Sequence, residues 1–406
     1  MTSAAIRAVV AATVACGAIV AGAPPAAAAV HPAANSKLVA SGAHSQAVAY
    51  NPRRDEYLVT YSLSTGGGDG RPTRSLVRRL DRTGAPRGGP KEVALTPWQA
   101  GPLGQKLVYN ATRDEYLLLW VASAQEYGEP YVIHGLRLGA GGTPIGDPRL
   151  LLGPEDQSGH KMRCCGDVTA VHEPDSDGYL ITWRASTAVL GPHHVMGRRV
   201  DATLGLGAVR QLFGDTHVIR HDVVRSGRGY LVAAWGTDRT SYGLRTRYVD
   251  AAGQARGGRH RVNAPNGGGL ALASNPRGLI AVGWNTPADG LVVQGLDRLG
   301  RPRGGTTEIP YHEDYRQTSP TSLSYNPAAD RFLLSWNGYK DHPTDEDEVL
   351  EQAAVATLPG DLSGAAGAAR AVAGDGGPIL TASTRERRWL ALLNVLGDLR
   401  SRTLGP

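Results

Sequence analysis

Seven copies of one pattern run through the 406-residue chain, and they constrain its fold more than any other feature. The longer copies are AVAYNPRRDEYLVTY (47–61), KLVYNATRDEYLLLW (106–120), TAVHEPDSDGYLITW (169–183) and SLSYNPAADRFLLSW (322–336). Shorter ones are DVVRSGRGYLVAAW (222–235), ALASNPRGLIAVGW (271–284) and LTASTRERRWLALL (380–393). Each reads as an apolar strand, a tight turn and a second strand closing on a large residue. That residue is Tyr61, Trp120, Trp183, Trp235, Trp284, Trp336 and, in the last copy, Leu393. One bulky apolar side chain at the same place in every unit reads as a core wedge.

A second half follows, as in SLVRRLDRTGAPRGG (75–89), YVIHGLRLGAGGTPIG (131–146), GLRTRYVDAAGQARGG (243–258) and GLVVQGLDRLGRPRGG (290–305). It supplies a third strand, a turn built on Asp, Gly and Pro, and a short fourth strand such as KEVAL (91–95). Four antiparallel strands recurring every 49 to 63 residues predict an all-β fold, a seven-bladed β-propeller. A stacked solenoid is the rival architecture, but it needs capping units and none is visible. The seventh copy stops after its third strand, near LRSRTL (399–404), while SKLVAS (36–41) resembles a fourth strand lacking the other three. The N-terminal strand is therefore expected to complete the last blade and close the ring, hiding two strand edges. Residues 30–406 read as one propeller domain.

Composition agrees. The chain has 53 glycines and 26 prolines but only two phenylalanines, which suits many short strands and turns. With 41% apolar and 20% charged residues, it is a folding chain rather than a disordered one. The segment 1–29 carries one basic residue, Arg7, then an Ala- and Val-rich run, then Ala27-Ala28-Ala29, and reads as a signal peptide. Pro24 and Pro25 break that run, which is short for a membrane span. A secreted, extracellular, soluble monomer is expected. A lipoprotein reading at Cys16 meets Thr13 where a leucine is usual. The net charge of +6 is a mild bias, and the arginines are scattered, so nucleic acid is not an expected partner.

Beyond the leader the cysteines are Cys164 and Cys165, side by side. In an oxidising compartment they can close a strained vicinal disulfide, the favoured reading. Two free thiols, or a metal held with His160, are the alternatives, although adjacent thiolates chelate one tetrahedral ion awkwardly. Neither a metal nor a cofactor is expected.

The turns between strands one and two and between strands three and four share one face, and they are short and repetitive. The opposite face carries loops uneven in length and chemistry, where binding on a repetitive scaffold usually sits. Its aromatic and basic residues Trp98, Tyr127, Arg163, Arg239, Tyr311, Tyr315 and Arg316, with His221 at the channel mouth, are the candidate binding residues. Register-equivalent positions of the first strands, expected at that mouth, are Gln46, Gln105, Val168, His221, Leu270, Thr321 and Ile379. A catalytic reading pairs His221 with Asp222 or Asp167, or uses His312, Glu313 and Asp314. No nucleophile motif stands out, so no catalytic residue is assigned and a non-enzyme is favoured. Asp341, Asp345 and Asp347 match no known calcium-loop spacing and read as a solvated acidic loop.

In its Tyr-Asn-Pro and Leu-Asp-x-x-Gly-x-Pro turns, its length and its leader, the chain resembles the secreted seven-bladed propellers of actinobacteria. Among these it is most similar to the dispase autolysis-inducing kind. That resemblance implies a non-enzymatic protein–protein interaction outside the cell, with a thermolysin-like metalloprotease as partner and a secreted transglutaminase as modifier. The loop glutamines Gln99, Gln125, Gln157 and Gln317 are the acceptor candidates it suggests. The alternative function is a glycan-binding or glycan-cleaving propeller, with Tyr127, Tyr242, Tyr311 and Tyr315 as sugar platforms.

Overall fold

The structure is a computed structural model. It describes residues 36–64, 73–96, 104–123, 131–157, 159–162, 168–188, 191–214, 216–238, 241–262, 268–286, 290–310, 316–341, 349–372, 378–395 and 398–406. The chain divides into two units, residues 1–31 and 32–406. The expected signal peptide, 1–29, lies outside the described residues.

Seven four-stranded antiparallel sheets make up the second unit, each a blade of a seven-bladed β-propeller. Blade 1 runs outward through Ala43–Asn51, Glu56–Ser64, Thr73–Asp81 and Pro86–Thr96. The inner strands of blades 2 to 7 are Gln105–Asn110, Val168–Glu173, Thr216–Ser226, Ala271–Ser274, Arg316–Asn326 and Ile379–Ala382. Blade 7 supplies only three strands in sequence, and Lys37–Ser41 pairs antiparallel with Asp398–Leu404 as its fourth. The expected closure is present.

Every blade is covered on both faces, and this explains the second strands. Runs such as EYLLLWVAS (115–123) are apolar at nearly every position instead of alternating, as a strand buried on both sides requires. The buried side chains fall into seven clusters, one between each pair of neighbouring blades. The cluster between blades 7 and 1 holds Val39 from the closing strand with Tyr50, Tyr57, Leu390 and Leu399. The wedges are where the repeats place them: Trp183 and Trp284 are each 1% exposed and Leu393 is fully buried.

Side chains of the tight turns staple the ring on one face. Asn51 donates to Asp114 of the next blade at 2.7 Å, and Asn110 to Asp177 at 2.8 Å. Asn275 and Asn326 reach the backbone carbonyls of Gly360 and Arg388 in the same way. The turn asparagine therefore both shapes the turn and clamps the following blade. In the other turn, Asp81 Oδ1 accepts from the N–H groups of Thr83 and Ala85, at 2.8 and 2.9 Å. Gly84 (φ 80°) lies so close to blade 7 that a Cβ there would come within 2.8 Å of Leu390.

One expectation needs correction. The Arg-Gly-Gly that follows this turn in blades 1, 4 and 5 belongs to the fourth strand, which in blade 1 already starts at Pro86. Gly88, Gly146, Gly257 and Gly304 take φ of 71°, 75°, 66° and 67° where the ladder shifts register. These are β-bulges, and they increase the local twist of the outer strand.

Candidate functional site

The inner strands converge on a central channel, where they enclose a cavity of about 360 Å³. Gln46, Gln105, Leu270, Thr321 and Ile379 line it, as the register argument predicts. In blades 3 and 4 the lining residues are Thr169 and Asp222, one place beyond Val168 and His221. Alternation along a strand accounts for the difference, because neighbouring side chains leave on opposite sides. His221 turns toward blade 3, where its Nε2 lies 3.1 Å from Thr182 Oγ1. It therefore forms no His–Asp dyad with Asp222.

Asp222 and Lys106 are the charged residues among those lining the cavity, and Thr169 and Ser322 line it with them. Asp222 Oδ1 accepts from the Val223 N–H at 2.8 Å and from the Thr169 hydroxyl at 3.4 Å. Oδ2 accepts from Leu272 N–H of blade 5 at 3.1 Å. One carboxylate thus ties three inner strands together. Burial pushes it above the usual carboxylate range, while Lys106, those two N–H groups and the Thr169 hydroxyl pull it back. With both oxygens engaged by the fold, Asp222 is a staple of the channel.

A folded-state value above the unfolded one means that the protonated form favours folding. That contribution is complete below the unfolded carboxyl range and is lost as pH rises through the folded value. The melting temperature of Asp222→Asn minus that of the wild type is therefore expected to increase from pH 4 to pH 8. A difference independent of pH overturns this reading.

Most candidates on the uneven face, Trp98, Gln99, Gln125, Tyr127, Arg163, Arg239, Tyr311 and Tyr315, lie outside the described residues, as do Cys164 and Cys165. So do Asp167, His312, Glu313, Asp314, Asp345 and Asp347. Two glutamines depart from expectation. Gln157 is only 4% exposed: its Nε2 donates to Tyr131 O at 2.7 Å and its Oε1 accepts from Met162 N–H at 2.6 Å. It clamps the loop between blades 2 and 3, so it is not an exposed acceptor. Gln317, with Arg316, stands on the inner strand of blade 6, where their backbones pair with Gly338 and Tyr339. These positions belong to a ladder and not to a free loop.

Two features of this rim stand among the described residues: Tyr242, a sugar-platform candidate, and a set of paired histidines that includes His160, of which His193, His194 and His217 were not singled out in the sequence. Tyr242 is 46% exposed and stacks on Trp235, with centroids 5.5 Å apart and planes 24° apart. The rings of His160 and His194 meet edge to face at 5.3 Å, and those of His193 and His217 lie 5.2 Å apart. Burial holds His193 below the usual histidine range, reinforced by Arg184 and the neighbouring imidazoles. Among the described residues no group of three His, Cys, Asp or Glu side chains is placed to hold a metal ion.

No family profile matches the chain, and no curated protein matches it in sequence. Solved structures are similar in fold. A chain of hydrazine synthase from Kuenenia stuttgartiensis superposes with a TM-score of 0.53 at 12% identity, over 91% of this chain and 97% of its own. The Dos1 propeller gives 0.51 at 11% identity, over 90% and 93%. At such identities the likeness is one of fold.

Proposed function

We propose that this chain is a secreted, non-enzymatic interaction propeller whose uneven face engages another extracellular protein. The observation that carries the proposal is the contrast between the faces. One is built of near-identical turns locked by side-chain hydrogen bonds such as Asn51–Asp114 and Asn110–Asp177. The other carries connections that differ widely, from the two residues between Phe213 and Thr216 to the fifteen between Leu152 and Val168. A rigid ring loses little entropy on binding, so recognition falls to the loops it displays.

The resemblance to autolysis-inducing propellers supplies the partner, a thermolysin-like metalloprotease whose self-digestion this chain would promote. Gln99 and Gln125 remain the loop acceptor candidates for a transglutaminase; Gln317 stands in a strand ladder, and Gln157 drops out because it is buried. Co-incubation with a purified neutral metalloprotease, following residual protease by gel and peptidase assay, tests the reading. Loss of the protease is expected to accelerate. Trp98→Ala and Tyr315→Ala are each expected to weaken the effect by about thirtyfold, the lower bound of an interface hot spot. Arg53→Ala and Arg82→Ala, on the opposite face, are expected to leave it unchanged. Equal protease survival with and without this protein overturns the assignment. Tyr242, exposed and stacked on the buried Trp235, favours a second reading, a sugar platform, which a polysaccharide-binding panel run alongside tests.

A further inference from the structure

The regular face lacks its aromatic roof in blades 4, 5 and 7, where Arg225, Ser274 and Ala382 stand at the inner position. In four blades an aromatic pair roofs the first turn: Tyr50–Tyr57 at 5.1 Å, Tyr109–Tyr116 at 5.2 Å, His172–Tyr179 at 5.2 Å and Tyr325–Phe332 at 4.9 Å. The inner residue of the pair reaches an aspartate in its own turn, as Tyr50 does to Asp55 and Tyr325 to Asp330, each at 2.7 Å. In blade 5 the register sets Ser274 opposite Ile280. The turn there is one residue shorter, and Gly278 follows Arg277 where an aspartate closes the longer turns. With ring and carboxylate both missing, a pocket of about 450 Å³ opens, walled by Ser274, Ile280, Arg298, Tyr325, Arg225 and Thr384.

The basic groups around this pocket differ in what they already hold. Arg277 is committed to Asp330 at 2.6 Å. Arg225 lies 3.5 Å from Glu173 and 3.6 Å from Asp175. Arg298 is exposed and has no ion-pair partner among the described residues. Its backbone is nevertheless held, because Ser226 Oγ donates to Arg298 O at 2.6 Å. Its side chain lies across Gly278 (φ 81°), where a Cβ would fall 2.2 Å from the guanidinium Nε. Only glycine leaves room for that path.

We propose that this pocket is a second docking site, which receives a carboxylate side chain, Asp or Glu, of a partner polypeptide. Arg298 is its counter-ion, and the Ser274 and Thr384 hydroxyls are its neutral donors. The partly exposed Tyr325 ring offers apolar wall for the methylene stem of the incoming residue. Glu173 and Asp175, which face Arg225, and Asp330, which accepts from Tyr325, lie behind the lining residues and repel a dianion more strongly than a single carboxylate. The site therefore suits an acidic peptide better than phosphate. It does not depend on what the uneven face binds.

Titration of the full chain, by NMR or calorimetry, with the acetylated and amidated tripeptide Gly-Glu-Gly into the millimolar range tests the proposal. Binding is expected, and the Gly-Gln-Gly counterpart should bind about tenfold more weakly, as loss of a charge-assisted hydrogen bond implies. Arg298→Gln should reduce affinity by a similar factor. Ser274→Tyr, which restores the residue found at Tyr50, Tyr109 and Tyr325, should fill the pocket and abolish binding while the melting temperature holds. The proposal is overturned if the Glu peptide does not bind, if Glu and Gln peptides bind alike, or if both variants bind like the wild type. Tighter binding of phosphate or glucuronate than of the Glu peptide also overturns it, by pointing to a different ligand class.

Discussion

Deletion of residues 36–42 is expected to open the ring and to cost more stability than any single core substitution. The strand Lys37–Ser41 buries Val39 completely, worth about 1.5–3 kcal/mol. It also contributes a ladder to Asp398–Leu404, with Lys37 opposite Ser401 and Ser41 opposite Asp398. Lys37 Nζ donates to Thr83 O at 2.8 Å and to Thr83 Oγ1 at 2.7 Å. Arg78 of blade 1 donates to Val39 O. Each such bond contributes on the order of 1 kcal/mol net, so the total exceeds the loss from one cavity. The deletion also bares the edge of Asp398–Leu404, which invites pairing between chains. A sharp fall in melting temperature together with concentration-dependent association is therefore expected. Adding the peptide 36–42 in trans should recover part of the loss. A truncated chain that melts like the full one would sink the closure argument.

The second large effect is expected at a wedge. Trp183 is 1% exposed and packs with Leu117, Ile133, Leu151 and Met196 between blades 2 and 3. Trp183→Ala leaves a cavity that rigid sheets on both sides cannot collapse, and should cost about 3–5 kcal/mol. Because neighbouring blades share that cluster, the change should loosen both of them, read as faster amide exchange in Gly178–Ser186 and in Glu115–Ser123. Arg53→Ala, on the surface, should stay within about 0.5 kcal/mol of the wild type. Equal melting of the two variants would refute the wedge role.

The sequence by itself determined the number of blades, the strands of each and the closure by residues 36–41. All three follow from local patterns: apolar runs of strand length, turns rich in Asn, Pro and Gly, and one large side chain per unit. A repeat also carries its own control, since a feature seen in several copies is not an accident of one. The same argument did not reach individual side chains where neighbouring blades meet. Asp222 was visible only as a neighbour of His221, and strand alternation together with the approach of Leu272 from blade 5 decided that it faces the channel alone. Gln157 read as a loop glutamine, but the carbonyl of Tyr131 and the N–H of Met162 draw it into the interior. The pocket at blade 5 depends on Ser226, Arg298, Tyr325 and Thr384, contributed by four different blades. No spacing along one strand encodes that meeting. Local rules set what each blade is, and the packing of blade against blade set which polar groups face outward, inward or one another.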